Sequence, residues 1–133
     1  MSTMSNRSAM AVNVVLWIVS LLLAYLFFFQ GLSKFPDSGG WARAFAHWHF
    51  PVWFRLLIGV LELAAAALLL WPRTAFLGAL TVIVVMLGGM ATHIRWGHPE
   101  QSFHEAMPLV VATIIAIGRR RAFVLPISQL KGA

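Results

Sequence analysis

Four long apolar runs, separated by short polar or turn-forming stretches, organise this chain. Residues 12–32 form a continuous apolar run broken only by Ser20 and Gln30. Residues 52–71 and 74–93 form the second and third, and the fourth opens near residue 102 and runs to about Gly118. A helix that crosses a bilayer needs about 20 apolar residues, so each run is a spanning helix. The first exceeds the apolar core of a cleaved signal peptide, about 7–15 residues, and lacks a small-x-small cleavage site. It is therefore read as a retained first helix. The fourth is short, at about 24 Å for its sixteen residues, against a hydrocarbon core of about 30 Å, so residues 122–127 either extend it or lie at the interface.

The connections carry their own signals. Pro36 and Ser38-Gly39-Gly40 end the first helix. Trp41, Ala44, Phe45 and Trp48 then fall at i, i+3, i+4 and i+7, with Arg43 and His47 off that stripe, which predicts a short amphipathic helix in the membrane interface. Pro72-Arg73 is a tight turn, and residues 94–101 are a polar connection. Ser102-Phe103-His104-Glu105 reads as a capping box, and Pro108 should bend the helix that follows. The expected architecture is all-α: a four-transmembrane-helix bundle over residues 12–118. It has a short interfacial helix between helices 1 and 2, a polar, disordered or interfacial segment at residues 1–11, and a basic cytoplasmic tail at residues 119–133.

Composition agrees. The chain has 133 residues, 60% hydrophobic and 11% charged, where a soluble domain carries about 25% charged residues. With no cysteine, a disulfide framework, a thiol redox site and thiolate metal ligands are excluded. The net charge of +6 orients the chain in a membrane and gives no sign of nucleic-acid binding. Four spans put both termini on one side. That side holds Arg7, Arg73, Arg119, Arg120, Arg121 and Lys131, and the other holds Lys34, Arg43, Arg55 and Arg95. Positive charge favours the cytoplasm, which predicts a multi-pass inner-membrane protein with both termini cytoplasmic. Trp17 and Trp71 fall near the inner interface, and Trp41, Trp48, Trp53 and Trp96 near the outer one, as in an aromatic belt.

Several stretches resemble the DoxX/DoxX-like family of small four-helix membrane proteins. GLSKF at 31–35 closes the first helix, FPVWFRLLIGVLEL at 50–63 opens the second, LLLWPRTAFLGAL at 68–80 joins the second to the third, and MATH at 90–93 closes the third. The resemblance covers about residues 16–118. It implies a four-helix bundle and a loose association with membrane redox chemistry. Family members resemble a subunit of archaeal quinol and thiosulfate:quinone oxidoreductases, others accompany superoxide and thiol defence, and distant animal relatives assist receptor assembly. Such a resemblance speaks more to architecture than to activity.

Glu62 is the candidate centre of any chemistry, because a carboxylate at membrane depth is expensive and often marks function. Gly59, Ala65 and Ala66 share its stripe, so that face should point into the bundle. Gly78, Gly88 and Gly89 are expected to let the third helix pack closely. Tyr25 and Thr113 match Glu62 in depth and are candidate hydrogen-bond partners. Gln30, Lys34, Arg55, His93 and Arg95, with His104, gather at the outer helix ends above Glu62, and Phe45, Trp48, Phe50 and Trp53 are candidate apolar walls. The expected site is a vestibule at the outer end with Glu62 beneath it. It is read as a proton-accepting or quinol-binding pocket, against the alternative of a structural acid under an ordinary interface. Met86, Met90 and His93 share a helical stripe near Met107, which admits copper or haem as well as plain core filling. No nucleophile–base set, phosphate loop or dinucleotide fingerprint is present. Two functions follow. One is a small membrane subunit that binds a quinone-like apolar ligand or supports a redox partner. The other is a non-catalytic scaffold or assembly factor. Membrane lipid, another membrane or redox protein, or a second copy are the expected partners.

Overall fold

The computed structural model describes the backbone of residues 2–132 and the side chains of residues 6–121. Five α-helices follow one another: α1 (Ser2–Leu32), α2 (Gly40–His47), α3 (Val52–Leu69), α4 (Pro72–Arg95) and α5 (Phe103–Gly132), with a 3₁₀ turn (Pro99–Ser102) leading into α5. The described residues contain no strand. All but α2 are long and apolar enough to cross a membrane. The chain is a multi-pass membrane protein built as an all-α four-helix bundle.

The bundle closes as a ring: α1 packs on α3, α3 on α4, α4 on α5 and α5 back on α1, while α2 lies on α3. The core is built mainly from alanine. Ala24 of α1, Ala65 and Ala66 of α3, Ala75 and Ala79 of α4, and Ala112 and Ala116 of α5 surround Phe27, Leu69, Val82 and Ile115. Lipid tails are as apolar as leucine, so helices associate in a membrane through close backbone approach, which small residues permit. The bulky side chains turn outward: Leu22, Val60, Leu70, Val84, Leu87, Val110 and Ile117 are all exposed on the bundle surface.

Helix ends follow local chemistry. Pro72 starts α4 at its first turn, where a missing amide costs nothing. Thr74 Oγ1 donates to the Leu68 carbonyl at 2.7 Å and tightens the turn from α3. α2 and α4 both end in a Schellman motif. Phe50 N donates to Phe45 O at 2.9 Å over His49, whose φ is 62°. His98 N donates to His93 O at 2.9 Å over Gly97, whose φ is 83°.

Four expectations change. α1 begins at Ser2 and not near residue 12, because extending a formed helix is cheap and neither glycine nor proline interrupts residues 2–30. α5 continues past Gly118 to Gly132, so residues 122–127 extend it. The side chain of Lys131, counted among the inner charges, lies outside the described residues. Ser102 and Glu105 do not join in a capping box. The Ser102 hydroxyl donates to the Pro99 carbonyl at 2.5 Å, and the Glu105 carboxylate crosses to His93 at 3.3 Å. Gly88 has no neighbouring atom within 4 Å of where a Cβ would stand, so it mediates no close packing, whereas Gly78 lies against the Ala65 carbonyl at 3.0 Å from that point.

A candidate ligand-binding cavity

Two glycines set the site. A Cβ on Gly31 would stand 2.8 Å from Leu63 Cγ and 2.9 Å from the Gly59 carbonyl, and one on Gly59 would stand 3.1 Å from the Gly31 carbonyl. Only glycine at both positions lets α1 and α3 touch backbone to backbone. The contact brings the end of α1 over the middle of α3. Lys34, in the turn after α1, folds back along its own helix: Nζ lies 3.5 Å from the Gln30 carbonyl and 2.8 Å from Glu62 Oε1. Cβ atoms on a helix lean toward its N-terminus, which favours this inward reach. The two side chains are 4% and 2% exposed. The ammonium also lies 4.0 Å from the centroid of the Trp41 ring. Burial pushes the Lys34 ammonium below the usual lysine range, and the neighbouring Glu62 charge opposes that shift, with a smaller contribution of the same sign from Glu105.

A second pair faces the first from the other side of the bundle. His93 Nε2 of α4 lies 3.3 Å from Glu105 Oε1 of α5. Gly89, one turn before His93, leaves room for the Glu105 side chain, whose Cγ is 3.2 Å from the Cβ position. Trp48 meets the His93 ring edge-on at 5.3 Å. Each acid uses only one oxygen: Glu62 Oε2 and Glu105 Oε2 are buried and have no hydrogen-bond partner among the described residues.

Both pairs line one cavity of about 890 Å³ at the end of the bundle where α1 finishes and α5 begins. The apolar stripe of α2 roofs it, with Trp41, Ala44, Phe45 and Trp48 all in its wall. Phe45 is the hub of this roof, with Trp48 at 5.5 Å, Phe50 at 5.8 Å and Phe54 at 6.3 Å. A shallower groove of about 440 Å³ on the outer side of α1 shares Leu26, Gln30 and Trp41 with the cavity.

Residues 18–118 match the profile of the DoxX-like family. The chain belongs to the DoxX-like family. It is also 32% identical over 74 residues to a protein of Bacillus subtilis (strain 168) named as the uncharacterized protein YdgD. The match covers 53% of this chain and 64% of that protein's length. No solved structure matches the chain.

In this DoxX-like protein, Gln30, Lys34, Glu62 and His93 line the same cavity. Arg55 and Arg95 stand apart from it. The Arg55 guanidinium is buried but turned to the loop after α1, donating to the Pro36 carbonyl at 2.6 Å and to Asp37 Oδ1 at 2.9 Å. Arg95 is exposed. Neither residue lines the cavity. Tyr25 and Thr113 do not reach Glu62. Tyr25 is 68% exposed, and Thr113 donates to the Leu109 carbonyl of its own helix at 2.8 Å. Trp53 is exposed on the bundle surface, and its place in the wall is taken by Trp41 and Phe54. Met86 lines the cavity, Met107 is exposed, and no group of three His, Asp or Glu among the described residues is placed to hold a metal. Glu105 is the residue that sequence reading assigned elsewhere. An acid one turn into a helix looks like a cap, and only the antiparallel pairing of α4 with α5 reveals His93 opposite it. Arg119, read as an orienting charge, is buried and donates to Asn13 Oδ1 at 2.7 Å, tying α5 to α1 at the opposite end.

Proposed function

We propose that the cavity binds a quinone-like ligand, an apolar body with a small polar head, and that the protein serves a membrane redox partner as a small accessory subunit. The observation that carries the reading is the combination of aromatic walls with two acids, Glu62 and Glu105, in the lining of one cavity, each with a buried oxygen that has no partner among the described residues. Ligand pockets have volumes of about 300–1,000 Å³ and combine apolar walls with a few convergent polar groups. Buried carboxylate oxygens without partners are costly, so each calls for a donor, which a ligand or an ordered water would supply. The ligand-contacting set in this reading is Gln30, Lys34, Glu62 and His93, joined by Glu105 and Trp41. Arg55 and Arg95 take no part, the first acting as a tie to the loop. The groove beside Trp41, which shares Leu26, Gln30 and Trp41 with the cavity, would be the ligand's route in from the lipid. The scaffold reading draws less support, because Gly59, Ala65, Ala66 and Gly78, the small residues it would use, are buried inside the bundle.

Positive charge at the Pro72 end, from Arg7, Arg73, Arg120 and Arg121, favours the inner membrane with both termini in the cytoplasm and the cavity toward the outer face.

Binding is tested by titrating the protein in lipid nanodiscs with decylubiquinone and following tryptophan fluorescence, since Trp41 and Trp48 line the cavity. Saturable quenching that is much reduced in Trp41→Phe/Trp48→Phe is expected. Quenching that stays linear in quinone and unchanged in the double variant would show simple partition into lipid and end the proposal.

A further inference from the structure

The Pro72 end of the bundle, away from the cavity, carries charge of one sign. The acids of the chain are Asp37, Glu62, Glu100 and Glu105, and all lie toward the Lys34 end, in its loops or beside its cavity. The opposite end holds Arg7, Arg73, Arg119, Arg120 and Arg121 and no acidic side chain. Arg7, Arg73, Arg120 and Arg121 are exposed, as orienting charges are. Arg119 is 6% exposed and sits in the seam between α5 and α1, the loosest junction in the ring of four helices. Its Nη1 donates to Asn13 Oδ1 at 2.7 Å and its Nη2 to the Asn13 carbonyl at 3.4 Å, and its Cζ lies 6.0 Å from the centroid of the Trp17 ring. These contacts are all to neutral groups. A charge taken largely out of water is costly unless an opposite charge meets it, and no side chain at this end can be that counter-ion.

Donors are left over at the seam. Arg119 Nε bonds to no described residue and remains reachable from outside the protein. A guanidinium only donates, so the Asn13 amide must turn its oxygen to Arg119. The NH2 of that amide, which holds two further donors, bonds to nothing among the described residues, and Asn13 is exposed.

We infer that this seam binds the phosphate of an anionic phospholipid headgroup. The phosphate supplies the missing counter-charge and accepts from the unused donors of Arg119 and Asn13 through charge-assisted bonds. Trp17 marks the level of the membrane interface, where lipid phosphates lie. Ile18 of α1 and Ile117 of α5 are exposed on the two helices just inside that level and offer the acyl chains an apolar surface. A zwitterionic headgroup fits less well, because its ammonium would meet arginines and no carboxylate. The inference is independent of the reading of the cavity and holds for either orientation of the bundle in the membrane.

The full-length protein in dodecyl maltoside micelles is mixed with equimolar dioleoylphosphatidylglycerol and dioleoylphosphatidylcholine, which share their tails, and bound lipid is read by native mass spectrometry. Phosphatidylglycerol is expected to be retained at least about fivefold over phosphatidylcholine, the factor that one cation contributes toward an anionic lipid. Arg119→Gln and Asn13→Leu should bring that ratio toward one. Arg120→Gln/Arg121→Gln, which removes exposed charges and leaves the seam intact, should keep most of it. Equal retention of the two lipids by the wild type would overturn the inference. So would a preference that is lost in Arg120→Gln/Arg121→Gln and kept in Arg119→Gln, which would mark diffuse attraction to the arginine run. Displacement of phosphatidylglycerol by millimolar inorganic phosphate would mark a site for the free anion and equally end the lipid assignment. The wild-type ratio and the exposed double variant decide the matter even where Arg119→Gln fails to fold.

Discussion

Replacing Lys34 by methionine should destabilise this bundle more than almost any other single change, and the structure gives the size of the effect. Lys34 Nζ and Glu62 Oε1 are 2.8 Å apart with both side chains nearly fully buried. At an effective dielectric of about 20, Coulomb's law puts their attraction near 6 kcal/mol. Taking each ion out of water costs several kcal/mol, so the intact pair contributes little net stability over apolar residues of the same shape. Removing one member is different, because the desolvation of the other is then uncompensated. Lys34→Met is expected to cost about 3–5 kcal/mol, including the loss of the cation over Trp41, about 0.5–2 kcal/mol. Lys34→Met combined with Glu62→Leu should recover most of that loss, giving a coupling energy of at least about 2 kcal/mol in a double-mutant cycle. Trp41→Phe controls for the ring contact. The measurement is reversible unfolding in mixed micelles as the mole fraction of dodecyl sulfate rises, followed by circular dichroism. If Lys34→Met falls within about 1 kcal/mol of wild type and the double variant is simply additive, Lys34 does not close off Glu62, and the buried pair is not the centre of the site.

Four further outcomes are expected. Asp37→Ala should cost less than about 1 kcal/mol, since its carboxylate is 92% exposed. Arg55→Met should cost about 1–3 kcal/mol by orphaning the Pro36 carbonyl, and the same unfolding assay ranks the two. His49→Val should lose more than about 1 kcal/mol while His49→Asn is tolerated, because φ at His49 is 62° and a β-branched residue is strained there where asparagine is not; thermal melts of the two variants separate them. For topology, Ser38→Cys should react with an impermeant thiol reagent on intact cells and Arg73→Cys should not, and the reverse pattern would invert the orientation.

The sequence carries much of this architecture because the rules behind it are local. Apolar run length identifies the spans, and the i, i+3, i+4, i+7 placement of Trp41, Ala44, Phe45 and Trp48 identifies the roof helix. The Gly59, Ala65 and Ala66 stripe correctly places Glu62 on the buried face of α3. What was hidden depends on which helices neighbour one another and on which way long side chains lie. Lys34 is expected at the outer rim because lysines near helix ends usually reach toward the interface. Here the Gly31–Gly59 contact offers an acid within reach, so the chain turns inward. Arg55 shows the opposite case. It sits one turn into α3 near the same rim, but its guanidinium donates to the loop carbonyl of Pro36 at 2.6 Å, and that bond holds it away from the cavity lining. Arg119 in the basic run finds Asn13 only because α5 returns beside α1.

The same contrast explains why the cavity lies at the Lys34 end of the bundle. Around Ala65, Ala66, Ala75, Ala79, Ala112 and Ala116 the helices meet through methyl groups and leave no room. The far end is tied by the Arg119–Asn13 bond and by Gly118 against Leu16, where a Cβ would stand 2.6 Å from Leu16 Cδ1. At the Lys34 end, α4 carries Gly88 and Gly89 in place of alanine, and α2 bridges the opening with rings that meet each other rather than filling the space below. Small residues therefore act in two ways in one chain. Where backbones can approach they close the core, and where two acids and a roof of aromatic rings hold the walls apart they leave a cavity. Enlarging Gly89 should thus displace Glu105 before it disturbs helix packing, since the nearest atoms to its Cβ position all belong to that side chain.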